Sequence, residues 1–164
     1  MMISRMQNAA RIAIAGFLMA MCLTPAVTQA EDNGMKRKLD ALGQKYEIDS
    51  DGDFKLSFKF SEDKRTQIVF VSGHVEDAKP ILIRQVFAPV ANVKDDKISG
   101  RALDLLRDNF GLKVGAFEVQ GDYLIYNIKL NDDASSAQLQ KAISMAAAVA
   151  DEKEKEISGA RDTY

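Results

Sequence analysis

Residues 54–60 read Phe-Lys-Leu-Ser-Phe-Lys-Phe, and this alternation of apolar and polar side chains decides the fold class. A β-strand sends successive side chains to opposite faces, so the apolar residues share one face and the lysines face water. Just before this stretch, Asp51-Gly52 suits the left-handed dihedral angles of a tight turn, with a short partner strand at residues 46–48. The sequence therefore predicts an antiparallel hairpin with its phenylalanines in the core.

Four further runs of the sequence are typical of β-strands. Further strands are predicted at residues 67–71, 81–87, 113–119 and 123–130. Pro80 and Pro89 bracket the second of these runs, as expected where ladder hydrogen bonds begin and end. Gly121 between the last two runs indicates another hairpin. Gly115 is expected to mark a bulge or a close approach of two backbones.

Helical spacing of apolar residues, three or four apart, occurs at three places. The stripes are Met35, Leu39 and Leu42; Leu103, Leu106 and Phe110; and Leu139, Ile143, Ala146 and Ala150. Ser99 is expected to cap the second helix and Gly111 to stop it. Ser135 and Gln138 fit a capping box at the third. The order α-β-β-β(-β)-α-β-β-α predicts an α+β domain, with an antiparallel sheet of about five strands and helices on one face.

Residues 1–30 have the three parts of an export signal. Arg5 and Arg11 give a positive start, and residues 12–23 form an uncharged apolar run that is too short to span a bilayer. Small side chains before Ala30 suit a signal peptidase, so we expect cleavage after Ala30 and a periplasmic or secreted protein. The mature part is then one domain at residues 31–158 with a frayed tail at residues 159–164.

The leader leaves two alternatives open. If Ala30 is not cleaved, the chain is a structural protein tethered to the inner membrane; otherwise the membrane is met only through the leader during export. Cys22 follows the apolar run, where a lipidation site would lie, but Met21 before it is not the small residue that such a site requires. Loss of Cys22 with the leader leaves no thiol, which suits an oxidising compartment.

Composition narrows the classes of partner and cofactor. The chain of 164 residues has 22 Lys and Arg against 24 Asp and Glu, one Cys and one His. A net charge of −2 argues against a nucleic-acid partner, because phosphate contacts need a surplus of basic side chains. A single cysteine excludes a disulfide framework and any cysteine-based zinc site. His74 has no further nitrogen or sulfur ligand to share a transition metal with, and the glycines at residues 111 and 115 lack the spacing of a phosphate-binding loop, so we expect no cofactor and no metal.

The segment Ile-Ser-Gly-Arg-Ala-Leu-Asp-Leu-Leu at residues 98–106, the strand at residues 123–130 and the alanine-rich last helix together resemble the YbjN family. The resemblance covers roughly residues 39–152 and lies in element order and apolar spacing. It implies the fold shared with type III secretion chaperones, and a non-enzymatic domain, often dimeric, that binds protein partners. Secretion chaperones act in the cytoplasm, so for a chain with a leader only the scaffold and its binding habit carry over.

Candidate catalytic residues are few. His74 is the only histidine and stands near Glu76 and Asp77, so a hydrolase-type site around His74 is the alternative to a binding domain. No Gly-x-Ser-x-Gly elbow occurs to pair with it. We read His74 as a loop residue.

Acidic side chains cluster in turns. The run Asp49-Ser50-Asp51-Gly52-Asp53 resembles the start of a calcium loop, but its glycine stands at the fourth position and Phe60 takes the place of the closing glutamate. We read it as a hairpin turn. The pairs Asp95-Asp96 and Asp132-Asp133 lie near predicted helix starts, where capping acids are common.

The sequence thus predicts an exported, non-catalytic domain that binds a protein or peptide, in the manner of a chaperone or regulator. A homodimer is one form that this binding takes. The small side chains of residues 146–150 suit either packing on the sheet or a dimer seam, and packing is the preferred reading. An apolar groove or an uncovered sheet edge would be the surface to look for.

Overall fold

The computed structural model describes residues 32–62, 64–94, 98–159 and 161–164. Within them the protein has an α+β fold, in which three helices accompany a six-stranded antiparallel sheet. The elements in chain order are α1 (Asn33–Ala41), β1 (Glu47–Ile48), β2 (Phe54–Lys59), β3 (Thr66–Ala78), β4 (Ile81–Asn92), a 3₁₀ turn (Ile98–Arg101), α2 (Ala102–Gly111), β5 (Ala116–Gln120), β6 (Tyr123–Asn131) and α3 (Ser136–Ser158). The predicted leader, its cleavage point and Cys22 lie outside the described residues.

The sheet has the order β1-β2-β3-β4-β6-β5, and each neighbouring pair is antiparallel. Gly52 has a φ of 85° in the turn between β1 and β2, as the Asp51-Gly52 pair predicts. The optional fourth strand of the predicted order is present, because the short β1 pairs with the start of β2. The two edges of the sheet are therefore β1 and β5.

One face of the sheet is covered by helices and forms the core. α3 packs across β3, β4 and β6, and α1 packs against α3. α2 makes its main strand contact with β5. Fully buried strand residues on this face include Phe54, Leu56, Val69, Val86 and Tyr126. Burial of each such apolar side chain contributes about 1.5–3 kcal/mol. The opposite face, which we call the outer face, carries none of the three helices.

β3 is longer than the sequence indicates, because it runs from Thr66 to Ala78 rather than over residues 67–71. This places His74 within a strand, and the loop prediction for that residue was wrong. The pairing of β3 with β4 shifts register between Val71 and Val75. A bulge breaks the period of two, so the apolar alternation ends while the strand continues.

A close backbone contact holds this bulge against the turn between β1 and β2. The Gly73 amide donates a hydrogen bond of 2.8 Å to Asp53 Oδ1. A Cβ atom added at residue 73 would lie 1.9 Å from the carbonyl oxygen of Gly52, so only glycine fits there. Burial raises the pKa of Asp53, against the lowering effect of its bond from Gly73.

β4 also extends beyond its predicted bounds, to Asn92, and Pro89 lies inside it rather than after it. The pairing of β4 with β6 shifts register between Pro89 and Ala91. A proline is tolerated within a sheet at such an irregularity, because the ladder already lacks a regular hydrogen bond there. Pro89 therefore marks a bulge instead of a strand end.

The start of the described chain is held by a buried arginine. Asp32 caps α1, and its Oδ1 accepts hydrogen bonds of 2.9 and 3.0 Å from two amides of the first turn. Arg84 is 2% exposed and donates to Asp32 Oδ2, to Asp132 Oδ1 at 2.8 Å and to the carbonyl oxygen of Ser72 at 2.5 Å. Asp132, predicted as a helix-start acid, is thus an ion-pair partner of Arg84.

α3 begins as the sequence predicts, with Ser135 and Gln138 forming a capping box. Ala146, Ala147 and Ala150 are buried on the side of α3 that faces the core. The alanine run therefore packs within the domain, in agreement with the preferred reading.

Hydrogen bonds join residues 161–163 to the domain, within the tail that the sequence predicts to fray. Thr163 N donates a hydrogen bond of 2.8 Å to Glu154 Oε1, and Thr66 N donates one of 3.1 Å to Asp162 Oδ2. Arg65 Nη1 donates to the carbonyl oxygen of Arg161 at 3.1 Å. The sequence pattern does not predict these contacts, because the partners are distant in sequence and polar residues at a chain end carry no periodic signal.

Candidate functional site

α2 carries an apolar stripe that does not pack within the domain. Leu105 is the buried residue of the helix, and Leu112 just after it is half-buried against the core. The stripe that predicted the helix is exposed: Leu103 is 67%, Leu106 is 64% and Phe110 is 96% exposed. We call these three residues the α2 stripe. Large apolar side chains grouped on a surface are uncommon in monomers and mark sites of interaction.

The position of α2 explains why this stripe stays exposed. The helix lies against the edge strand β5, whereas α3 already covers the centre of the sheet. Its expected cap is also absent, since Ser99 lies in the preceding 3₁₀ turn and Arg101 at the N-cap makes no side-chain capping bond. The helix runs through Gly111 to a C-cap at Leu112, so Gly111 is its last residue rather than the glycine that follows it. Periodicity predicted the helix correctly, but not which of its faces would meet water.

A groove runs between α2 and the sheet. Its volume is about 550 Å³, and Leu106 and Val119 stand at its open side. Its other apolar lining residues are Val93, Ile98, Ala102, Leu105, Phe117 and Leu124. A cavity of this size and composition is typical of ligand and protein docking sites.

Asn109 protects the neighbouring sheet edge from strand addition. Its Oδ1 accepts a hydrogen bond of 2.7 Å from Phe117 N, and its Nδ2 donates one of 3.2 Å to the carbonyl oxygen of Phe117. These are the backbone groups that β5 turns away from β6, and an added strand would need them. The surface is therefore arranged for contacts by side chains of α2 rather than for extension of the sheet.

Ion pairs fix the outer end of α2 to α3. Lys153 Nζ lies 2.9 Å from Asp108 Oδ2 and 5.4 Å from the centre of the Phe117 ring. Burial opposes the charge on Lys153, yet its bonds to Glu156 and Asp108 raise the pKa of the ammonium group. Arg101 pairs with Glu156 at the other end. The helix that carries the stripe is thus held in place by its charged side chains.

His74 stands apart from a catalytic arrangement as far as residues 32–62, 64–94, 98–159 and 161–164 show it. His74 is exposed on β3, and the nearby Glu76 accepts a hydrogen bond from Gln85. Ser72 Oγ donates 2.8 Å to the backbone carbonyl of His74 and accepts from Gln85 N, so it serves the bulge. His74 does not line the groove beside α2.

The acidic runs serve turns where they are described. Asp49 Oδ1 accepts hydrogen bonds from the amides of Asp51 at 3.0 Å and Asp53 at 2.9 Å, which is the hairpin-turn reading. Gly115 has a φ of 76°, and a Cβ atom there would lie 2.7 Å from the carbonyl oxygen of Asn127, so it marks a close approach. The pair Asp95-Asp96 lies outside the described residues.

The crystal structure of YbjN from E. coli, described as a candidate transcription regulator, matches at 16% sequence identity with a TM-score of 0.40, over 77% of this chain and 84% of that chain. The resemblance to YbjN that the sequence indicated is thus found again by structure comparison. A match at this identity and TM-score assigns no residue a role. No family model and no curated protein matches the chain.

Among residues 32–62, 64–94, 98–159 and 161–164, no helix has both the length and the apolar character that crossing a membrane requires.

Proposed function

We propose that this chain is an exported, non-catalytic domain that binds protein, and that the α2 stripe is its contact surface. The observation that carries the proposal is Phe110, a phenylalanine that is 96% exposed at the end of the α2 stripe, on a helix held by ion pairs to α3. Its ring leaves on the order of 200 Å² of apolar surface in water. Docking of a partner removes this cost.

The occupant that the stripe fits is a second copy of the chain. Leu103, Leu106 and Phe110 are spaced three and four apart, which is the narrow seam of two helices packed side by side. In an antiparallel pair about a twofold axis, Leu103 of one copy faces Phe110 of the other and Leu106 lies near the axis. Such a contact is self-complementary, as a twofold interface requires.

The charges beside the stripe permit this pairing. Arg101, Asp104, Arg107 and Asp108 are two basic and two acidic residues, and Asp104 pairs with Arg107 at 2.8 Å. Two copies therefore meet without net repulsion. A stable interface buries roughly 800 Å² on each partner, so Val119 and the groove beside the stripe must take part.

We expect the double variant Leu106→Asp/Phe110→Asp to dissociate the dimer. Two apolar side chains contribute together about 3 kcal/mol or more on burial, which corresponds to at least a hundredfold rise in the dissociation constant. Light scattering across a concentration series measures this change. The matched control is Leu82→Asp, an exposed leucine on β4 that should leave the dimer intact. A wild-type chain that stays monomeric, or a double variant that dimerises as well as wild type, would contradict the pairing.

Export is proposed on the three-part leader at residues 1–30. Asp32, the second residue after the expected cleavage point, caps α1 and bonds Arg84. We expect the intact mass of protein from the periplasmic fraction to lack residues 1–30. A mass that retains those residues would favour the tethered alternative.

A further inference from the structure

The outer face of the sheet carries an apolar patch with a cavity of about 420 Å³. We call it the outer patch, and its apolar side chains are Ile68, Phe70, Phe87, Pro89 and Ile125. The rings of Phe70 and Phe87 are stacked, with centroids 5.2 Å apart and planes 13° apart. Stacked aromatic rings on an open face give a surface that suits another aromatic side chain.

The chain itself supplies one such side chain. Tyr164 is half-buried and lines the outer patch, although residue 158 ends a helix on the opposite face of the sheet. Residues 161–164, which we call the strap, therefore cross from the α3 side past Thr66 to the outer face. The strap thus presents an aromatic ring to a surface that no helix covers.

Polar contacts rather than apolar burial hold the strap along its way. Asp162 Oδ2 accepts hydrogen bonds of 3.1 Å from Thr66 N and 3.2 Å from Thr66 Oγ1. The next residue, Thr163, donates its amide to Glu154 Oε1 at 2.8 Å. Three features of the strap thus have separate partners in the domain. Thr66 binds the Asp162 carboxylate, Glu154 binds the Thr163 amide, and the outer patch contacts the Tyr164 ring.

We infer that the outer patch together with Thr66 and Glu154 is a binding site for an extended peptide segment of the pattern Asp-x-aromatic, which residues 162–164 occupy in the same chain. The groups that receive the segment are fixed in the sheet and in α3, so a segment from another protein with the same three features meets the same partners. The site runs from Glu154 on α3 past Thr66 to the outer face, and it does not involve the α2 stripe. It is occupied by the strap until a competing segment displaces it.

The test uses full-length protein and a fluorescent peptide with the sequence of residues 159–164, amidated at its end. The strap competes at an effective concentration of about millimolar, so wild-type protein should bind the peptide weakly. The variant Asp162→Ala/Tyr164→Ala should bind it at least about tenfold more tightly, as measured by fluorescence anisotropy. Tyr164→Ala alone, which keeps the Asp162 contacts, should give a smaller increase.

Two controls define the site. The same peptide with alanine in place of its aspartate and tyrosine should bind the double variant at least about tenfold more weakly. Phe70→Ala added to the double variant should weaken binding, whereas Phe110→Ala should not, because Phe110 belongs to the α2 stripe. Equal binding of the peptide by wild type and double variant, no saturable binding by either variant, or equal binding of the alanine peptide would overturn the inference.

Discussion

Arg65→Met is expected to destabilise the domain by about 3–5 kcal/mol, because it removes one partner of a buried ion pair and leaves the other behind. Arg65 is 6% exposed, and its Nη2 donates to Glu154 Oε2 at 2.8 Å while its Nε donates to Asp151 Oδ1 at 2.6 Å. Glu154 is 1% exposed and cannot turn to water. Urea unfolding at neutral pH, followed by circular dichroism, measures the loss.

The same variant should show a particular dependence on pH. Burial raises the pKa of Glu154, against the lowering effects of the Thr163 amide and of the charge on Arg65. When the pKa of a carboxyl group is higher in the folded than in the unfolded state, the free energy of unfolding of the protein falls as pH rises through the folded pKa. Removal of Arg65 raises that pKa further, so the destabilisation should be larger at pH 7 than at pH 5.

Glu154→Gln provides the matched control. In the double variant Arg65→Met/Glu154→Gln no buried carboxylate remains at residue 154, so the domain should be more stable than Arg65→Met alone and should depend less on pH. A loss below about 1 kcal/mol for Arg65→Met is what an exposed ion pair would give. It would mean that the Glu154 carboxyl group becomes hydrated or protonated in the variant at little cost. A loss that is the same at both pH values would show that Glu154 does not carry the effect.

Gly73→Ala is the second substitution with a large expected effect, a loss of about 3 kcal/mol or more, at the upper end of what overpacking costs. The new methyl group would stand 1.9 Å from the carbonyl oxygen of Gly52, and backbone cannot yield as a flexible side chain does. Relief requires the turn between β1 and β2 to move away, which breaks the bond from Gly73 N to Asp53. Chemical unfolding measures the change.

Gly100→Ala is the control for Gly73→Ala. No atom lies within 4 Å of the position that a Cβ would take there, so its stability should stay within about 0.5 kcal/mol of wild type. If Gly73→Ala were as harmless as Gly100→Ala, the contact between the bulge and the turn would not be rigid. Amide exchange at residues 52 and 73 would then show where the backbone gives way.

These two sites illustrate where sequence reasoning stops. Arg65 stands next to charged turn residues and gives no sign of burial, because its partners Asp151 and Glu154 come 86 and 89 positions later. Gly73 precedes His74, and the pair ends the apolar alternation, so the sequence pattern predicts a loop at this segment. In both cases the missing information is the identity of a distant neighbour.

The α2 stripe shows the opposite case: the apolar pattern predicted the helix correctly, but the stripe lies at the surface and not in the core. Leu103, Leu106 and Phe110 predicted a helix, and α2 covers them. An apolar stripe on a helix indicates a surface that favours burial, but it does not indicate which other element or molecule covers that surface. Because α3 takes the central strands, α2 meets the sheet through Leu105 and leaves the predicting stripe outside.

The sequence alone determined the α+β class, the order of the elements, the turn at Gly52 and the capping box at Ser135, because each depends on the period of side chains or on residues close together along the chain. The exposed face of α2, the strand position of His74, the buried pair of Arg65 and Glu154 and the course of the strap were decided only by the tertiary structure. Each of these depends on which distant segments compete for the same area of sheet, and local periodicity carries no information about that competition.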